Sequence, residues 1–142
     1  MKKFIFFTLF ALAFIALCFS QNVTVTVNIT NVEVNGGTVH IAIFANAEEF
    51  RREIPSYAFQ LPARSSTVSL QVTLPAGDYV VSAFQDLFGN GIVTYRRLGL
   101  LPNEPVAISN YDGRGIPTKN FDRQKIRIDR TTGSVTIGLF RF

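Results

Sequence analysis

The side chains most capable of binding a ligand or metal ion lie in one short stretch, residues 86–95, which is rich in Asp, Asn and Gly. A calcium-binding loop needs several hard oxygen ligands, usually with more than one carboxylate. Asp86 and Asn90 supply two such ligands, and only Asp86 is charged. We therefore interpret the stretch as a shaped turn in which Gly89 and Gly91 adopt positive φ. Asp86 and Asn90 would then bond local backbone amides, and the alternative is a Ca²⁺ site with these two residues as ligands.

Catalytic chemistry finds little support in the residue types. His40 is the sole histidine and Cys18 the sole cysteine. His40 lies in the middle of a predicted strand, which favours a structural role over that of a base. A pair of loop carboxylates, Asp86 with Glu104 or Asp112, remains as the enzyme alternative, but their spacing does not indicate a general acid and base. The chain is predicted not to be an enzyme, with no catalytic residue and no cofactor.

Basic residues form two features that could bind an anion. Arg123, Lys125 and Arg127 alternate and are predicted to share one strand face, and Arg96-Arg97 follows the Asp/Gly loop. We interpret them as solvated cations that discourage edge-to-edge pairing, with an acidic glycan or lipid headgroup site as the alternative. The formal net charge of +4, which falls without the two N-terminal lysines, is too small to favour nucleic acid.

The N-terminus predicts export. Two lysines precede an apolar run over residues 4–19, and small residues then stand at the positions that a signal peptidase reads. Residues 1–20 are therefore predicted to be a signal peptide cut before Gln21, and residues 21–142 a single periplasmic or extracellular domain. The alternative is a lipoprotein anchored through Cys18, because the preceding residues resemble a lipobox. Membrane contact is expected only if Cys18 is lipidated or the signal segment is retained.

The rest of the chain must supply the elements that position these residues, and its patterning is that of strands. Period-2 alternation and short apolar runs separated by turn residues are typical of an all-β protein. Strands are predicted over residues 22–30, 38–45, 67–74, 78–85, 125–129 and 134–140. Asn46 followed by Glu49 predicts one short capped helix over 46–52. The fold class is therefore an antiparallel β-sandwich of about seven strands with one short helix.

A small outer-membrane barrel is the alternative architecture, because the sequence ends in Phe142 with Phe140 two residues earlier. The predicted strands 38–45 and 78–85 are apolar on both faces. A membrane barrel strand instead alternates apolar residues that face lipid with polar residues that face the lumen. The pattern thus favours the sandwich, with residues 38–45 as a central strand.

The turn before the fourth predicted strand, together with the loop that follows the strand, carries a family resemblance. The relevant residues are Leu74-Pro75-x-Gly77-x-Tyr79-Val80-Val81, then Phe84-Gln85-Asp86 and Gly89-Asn90-Gly91. In this order they resemble the exported bacterial domains of unknown function called DUF2141. The resemblance implies a β-sandwich of immunoglobulin-like or transthyretin-like type with no established activity.

Three departures from the family pattern fall in the loop itself. The family usually has His where this chain has Gln85, Asn where it has Phe88, and a closing Asp where it has Thr94. The last two changes remove oxygen ligands, so they favour a structural turn over a metal site.

The sequence thus predicts an exported, non-enzymatic binding or envelope-associated module. Its working surface is expected at the sandwich end that carries residues 86–95 and 102–111. Its partner would be an unknown protein, a glycan or an envelope component. The residues predicted to contact the ligand are Asp86, Asn90, Arg96, Arg97, Glu104 and Asn110.

Overall fold

The computed structural model describes residues 21–96, 99, 101–115 and 117–142. The predicted signal peptide, the lipidation alternative at Cys18 and the predicted ligand residue Arg97 lie outside the described residues. No helix in this described part is long and apolar enough to cross a bilayer.

The described chain is built from eight strands and two short helices. They are β1 Asn22–Thr30, β2 Thr38–Phe44, α1 Ala47–Arg52, β3 Tyr57–Pro62, β4 Thr67–Pro75, β5 Gly77–Asp86, β6 Val106–Ile108, α2 Phe121–Gln124, β7 Ile126–Ile128 and β8 Ser134–Gly138. The all-β prediction is confirmed, and six strands and α1 lie where the patterning placed them. The sequence analysis did not predict β3, β6 and α2.

The strands form two sheets. In the first sheet the order is β4-β1-β8, with β1 antiparallel to β4 and parallel to β8. In the second sheet the order is β3-β2-β5-β6, and all of its pairs are antiparallel. Both β6 and β7 pair with the edge of β5 that lies away from β2. Strand β6 lies opposite Ser82–Phe84 and β7 opposite Gly77–Tyr79. As predicted, β2 is a central strand, and β5 beside it is central as well.

The two sheets enclose one main core. Alternate residues of β1 and β2 point into it, including Val25, Ile29, Ile41 and Ile43, each no more than 1 % exposed. Burial of such apolar surface is the main source of folding free energy. The side chains of this core lie between positions 23 and 139. A chain that begins at Gln21 therefore contains both sheets and the core between them.

A tight turn joins β4 to β5 and explains part of the family-like motif. Tyr79 is buried, and its hydroxyl donates a hydrogen bond to the carbonyl oxygen of Pro75 at 2.7 Å. The Gln21 carbonyl accepts from the amide of Ala76 at 2.9 Å, which joins this turn to the start of β1. The Leu-Pro-x-Gly-x-Tyr motif thus fixes the direction in which β5 leaves the turn.

The helix α1 begins as the sequence predicts. The Asn46 side chain accepts a hydrogen bond from the amide of Glu49 at 2.9 Å, and the Oε2 atom of Glu49 accepts one from the amide of Ala45 at 2.9 Å. Ser56 also donates to Glu49 at 2.6 Å. The pKa of Glu49 is lowered, chiefly by the Ser56 and Ala45 hydrogen bonds, which outweigh its desolvation.

The outer face of the second sheet is partly covered by the two helices. Phe50 of α1 meets Phe44 of β2 edge to face, with ring centroids 5.2 Å apart. Val80 of β5 and Phe121 of α2 belong to the same cluster. We call this region, Phe44, Phe50, Val80 and Phe121, the covered half of the outer face.

The predicted basic stripe is wrong in its geometry. Arg123 lies in α2 instead of on a strand, because Asn120 caps a helical turn there by accepting from the Arg123 amide. Lys125 pairs with Asp122 at 3.0 Å, and Arg127 with Asp78 at 3.3 Å. These cations therefore do not form one continuous strand face.

Candidate functional site: a groove beside a carboxylate-anchored strap

The segment that follows β5 is held by the carboxylate of Asp86. We call residues 87–96 the strap. Asp86 is 4 % exposed, and its oxygens accept from the amides of Gly89 at 2.7 Å, Asn90 at 3.2 Å and Gly91 at 2.7 Å. Gly89 and Gly91 have φ of 70° and 74°, a region that favours glycine. The prediction of a shaped turn is confirmed in these contacts.

A second buried carboxylate holds the other side of the strap. Glu104 has no exposed surface, and its two oxygens accept from the amides of Leu87 and Thr94, each at 2.9 Å. A β-bridge between Tyr95 and Pro102 closes the segment. The strap is thus anchored at its start and near its end by carboxylates, and the bridge at Tyr95 adds backbone pairing at its end.

The environment of Asp86 keeps its carboxyl ionised. Burial raises the pKa, but the three amide hydrogen bonds, strongest from Gly91, and the nearby His40 outweigh it, so that the pKa lies below the ordinary value of 3.8. A group of this kind neither donates a proton at neutral pH nor accepts one readily. A general acid that works at neutral pH needs a raised pKa, and the pKa of Asp86 is shifted in the other direction.

The strap forms one wall of a groove on the outer face of the second sheet. The groove has a volume of about 930 Å³, which lies within the range of small-molecule sites. Its floor includes Ala42 and Ser82, which face each other across β2 and β5. Ile92 and Tyr95 of the strap form one wall, and Pro117 belongs to the other end. Most of the lining is apolar.

His40 lies on the floor of the groove and is one of its polar groups. Its ring stacks on that of Phe84, the residue opposite it on β5, with centroids 4.6 Å apart and planes 14° apart. Its Nε2 atom is 3.7 Å from Oδ2 of Asp86, which is an electrostatic contact and too long for a hydrogen bond. The side chain of His40 is 17 % exposed, so it presents part of its ring to the groove.

The charged residues of the groove wall neutralise each other. Glu53 and Lys119 both line the far end, and they form an ion pair of 2.5 Å. The groove therefore offers an apolar surface with a small number of neutral polar groups. Such a lining favours an uncharged ligand over a strongly ionic one.

The predicted ligand residues that the structure describes do not line this groove. Asp86 and Glu104 are buried beneath the strap. The amide oxygen of Asn90 accepts from the Ile92 amide at 3.2 Å, and its Nδ2 atom donates to Thr94 at 3.1 Å. These three residues are brought together, and they shape the strap.

The other two described residues lie apart from that group. Arg96 donates to the carbonyl oxygen of Phe142 at 2.7 Å. Asn110 follows β6, and its side chain donates to the carbonyl of Lys125 at 2.7 Å. In the β5–β6 register Asn110 stands about six residues, or roughly 20 Å, from the Asp86 end of the strand. A shared binding site for Asp86 and Asn110 is therefore not formed.

The residues that line the groove were mostly missed by sequence reasoning. His40 was assigned a structural role, and Phe84 and Ser82 were placed only within a strand. A usable signal was nevertheless present, because β2 and β5 are apolar on both faces. An apolar outer face must be covered by something, either by the protein itself or by a ligand.

The oxygens that the calcium alternative requires are already in use. Both oxygens of Asp86 accept amide hydrogen bonds, and the Asn90 oxygen accepts from Ile92. Among the described residues no three His, Cys, Asp or Glu side chains come close enough to hold a metal ion. The donor set therefore fits the amides of the strap better than it fits Ca²⁺.

Comparison with known proteins gives a family. A family of uncharacterised proteins conserved in bacteria, DUF2141, matches residues 27–136. Because the match covers most of the chain, the chain belongs to this family. Searches of curated proteins and of solved structures give no significant match.

Proposed function

We propose that this DUF2141 protein is an exported, non-enzymatic binding module that holds an uncharged, mostly apolar small molecule in the groove. The observation that carries the proposal is the groove of about 930 Å³ on the outer face of the second sheet. Its floor is made of regular strands, so it exists before any ligand arrives. Preformed apolar concavities with few polar groups are the usual form of small-molecule sites.

The floor also explains how a ligand would be oriented. Phe84 and Ile92 offer apolar contact, while His40, Ser82 and Gln60 offer hydrogen-bonding atoms along the floor. Burial of one Phe-sized contact contributes about 2 kcal/mol, which corresponds to roughly a thirtyfold change in affinity. A ligand with an apolar body and one or two neutral polar groups therefore matches this lining best.

The export part of the proposal is supported by the N-terminal sequence. Two lysines, the apolar run over residues 4–19 and the small residues before Gln21 have the order of a signal peptide. An exported binding module meets its ligand in the periplasm or outside the cell. Residues 21–142 contain all strands of the described structure, so this segment is the form to test.

The test is a fluorescence titration of residues 21–142 with the neutral apolar probe N-phenyl-1-naphthylamine. We expect a saturable rise in emission with one site per chain. Phe84→Ala should weaken the binding about tenfold, because the ring supplies much of the apolar floor. Val34→Ser is the matched control, since Val34 is an exposed apolar residue that does not line the groove.

Three results would count against the proposal. The first is the absence of saturable binding by the wild-type chain. The second is equal affinity of Phe84→Ala and wild type while both variants remain folded by circular dichroism. Loss of binding in Val34→Ser as well would place the probe elsewhere, and it too would count against the groove.

A further inference from the structure

The strap exposes large apolar side chains to solvent. Phe88, Ile92 and Tyr95 are 58 %, 65 % and 52 % exposed. They occur within eight residues of one another on a single segment. Scattered exposed apolar residues need no explanation, but a local group of them marks an interaction surface. Phe88 does not line the groove, so binding in the groove does not account for its exposure.

Most backbone amides of the strap already donate hydrogen bonds to acceptors within the protein. Six of the eight amide N–H groups from position 87 to 94 donate to side-chain oxygens of Asp86, Asn90 or Glu104. The six donors are Leu87, Gly89, Asn90, Gly91, Ile92 and Thr94. A backbone amide without a hydrogen-bond partner costs free energy in a low-dielectric medium such as a lipid bilayer. Irregular loops usually stay out of the bilayer for that reason. In this loop the side chains of Asp86, Asn90 and Glu104 supply those partners, so the loop can leave water without leaving these amides unpaired.

The exposed charge on the strap is the cation of Arg96, which favours an anionic partner surface over a cationic one. Asp86 and Glu104 are the acidic residues of the sequence from 86 to 104, and both are buried. Arg96 is exposed and directly follows Tyr95 in the chain, so it adds a cation to the same segment. Among the described residues its side-chain contact is with the Phe142 carbonyl, which uses one donor of five, and a guanidinium so placed can also meet phosphate oxygens.

We propose that the strap docks on an anionic lipid bilayer, with Phe88 entering the interfacial region and Arg96 contacting headgroup phosphates. An apolar tip with an adjacent cation is the usual chemistry of interfacial binding. The inference goes beyond ligand binding in the groove and does not depend on it. It gives the buried carboxylates a role, because they satisfy the amides of a loop that leaves water.

The test uses residues 21–142 and large unilamellar vesicles, one set of phosphatidylcholine and one with a quarter of phosphatidylglycerol. We expect co-sedimentation with the anionic vesicles. Phe88→Ser should weaken it about tenfold, and Arg96→Gln should weaken it several-fold on the anionic set only. Ile54→Ser is the matched control, because Ile54 is 55 % exposed and follows α1 at the opposite end of the outer face. This control should bind as wild type does.

Because the chain has no Trp, a single introduced Trp allows a second, site-specific measurement by fluorescence. Phe88→Trp should show a blue shift and quenching by brominated lipid on anionic vesicles, whereas Ile54→Trp should show neither. Wild-type chain that stays in the supernatant with both vesicle sets would overturn the proposal. So would equal binding of Phe88→Ser and wild type, or a Phe88-dependent dimer without vesicle binding. Probe affinity in the groove should be unchanged in Phe88→Ser, which separates this test from that of the proposed function.

Discussion

The outer face of the second sheet has two halves that share their strands and differ in what lies over them. In the covered half, Phe44 and Val80 pack beneath Phe50 and Phe121 of the two helices. In the other half, which we call the open half, His40, Ser82 and Phe84 continue the same strands. No helix packs over them in the described structure, and the strap stands beside them as a wall.

This difference shows that an apolar strand face does not by itself distinguish core from site. Both halves carry apolar outer-face residues, Phe44 and Val80 in one and Phe84 in the other, although the open half also carries His40 and Ser82. What distinguishes the halves is the segment that follows each strand, a capped helix after β2 and a strap held away from the floor after β5. The two buried carboxylates hold the strap in that position, and so they keep the groove open.

The largest effect should come from breaking the covered half. Phe50→Ala removes a ring that is 6 % exposed and in contact with Phe44, so we expect a loss of about 3 kcal/mol in the free energy of unfolding. Phe84→Ala in the open half should lose only about 1 kcal/mol, because its ring is already partly in water. Urea denaturation of both variants measures this. Equal losses would mean that the two halves do not differ as described.

A smaller effect should come from the anchor of the strap. Glu104→Gln replaces an oxygen acceptor by an amide NH₂ that faces the amide of Leu87 or Thr94. We expect a loss of about 2 kcal/mol, since a buried hydrogen bond to a charged group is removed and a donor is left unpaired. Hydrogen exchange should increase at the strap before it increases in β2.

The matched control for the anchor is Glu53→Gln, because Glu53 is an exposed acid at the groove end. It should change the free energy of unfolding by less than about 0.5 kcal/mol. If Glu104→Gln were as stable as this control, the carboxylate would not be an anchor.

The smallest effect should be the dependence of stability on pH. The pKa values of Asp86 and Glu49 lie below their ordinary values of 3.8 and 4.5. A carboxyl whose folded pKa is lowered stabilises the fold fully above its unfolded pKa, and this contribution is lost as the pH falls through the folded pKa. The melting temperature should therefore fall from about pH 5 downwards.

Variants assign that pH dependence to the two regions. Glu49→Gln should flatten the curve through the cap of α1, and Asp86→Asn should flatten it through the strap. A melting temperature that rises on acidification, or curves that do not change in either variant, would contradict these assignments.

The sequence predicted the strands that carry strong local signals. Alternation gave β1 and β4, and the Asn46–Glu49 pair gave α1, because these signals act over a few neighbouring residues. It did not predict β6 or α2, since Val106–Ile108 has only three residues and forms a strand through its pairing with β5. Arg123 was assigned to a strand because basic residues at every second position were interpreted as side chains on one face of a strand.

The site was predicted only in part for a similar physical reason. The strap contacts of Asp86 and Asn90 are local in sequence, so residue types were enough to predict them. The acceptor role of Glu104 depends on a loop that brings it back to Leu87 and Thr94, and no short pattern encodes that return. The groove exists because the two helices pack over the other half of the sheet and leave His40 and Phe84 open in the described structure. Only the three-dimensional arrangement shows this.

The central claim is that the open half of this face is a binding site and the covered half is core. A ¹⁵N–¹H NMR titration of residues 21–142 with N-phenyl-1-naphthylamine tests it most directly. We predict saturable shifts at the amides of His40, Ser82, Phe84, Ile92 and Tyr95. Phe44 and Phe50 border the groove, so the comparison uses Val80 and Phe121, which belong to the covered half and do not line it; their amides should shift far less. Shifts centred on the covered half, on the first sheet or at no defined set of residues would contradict the claim.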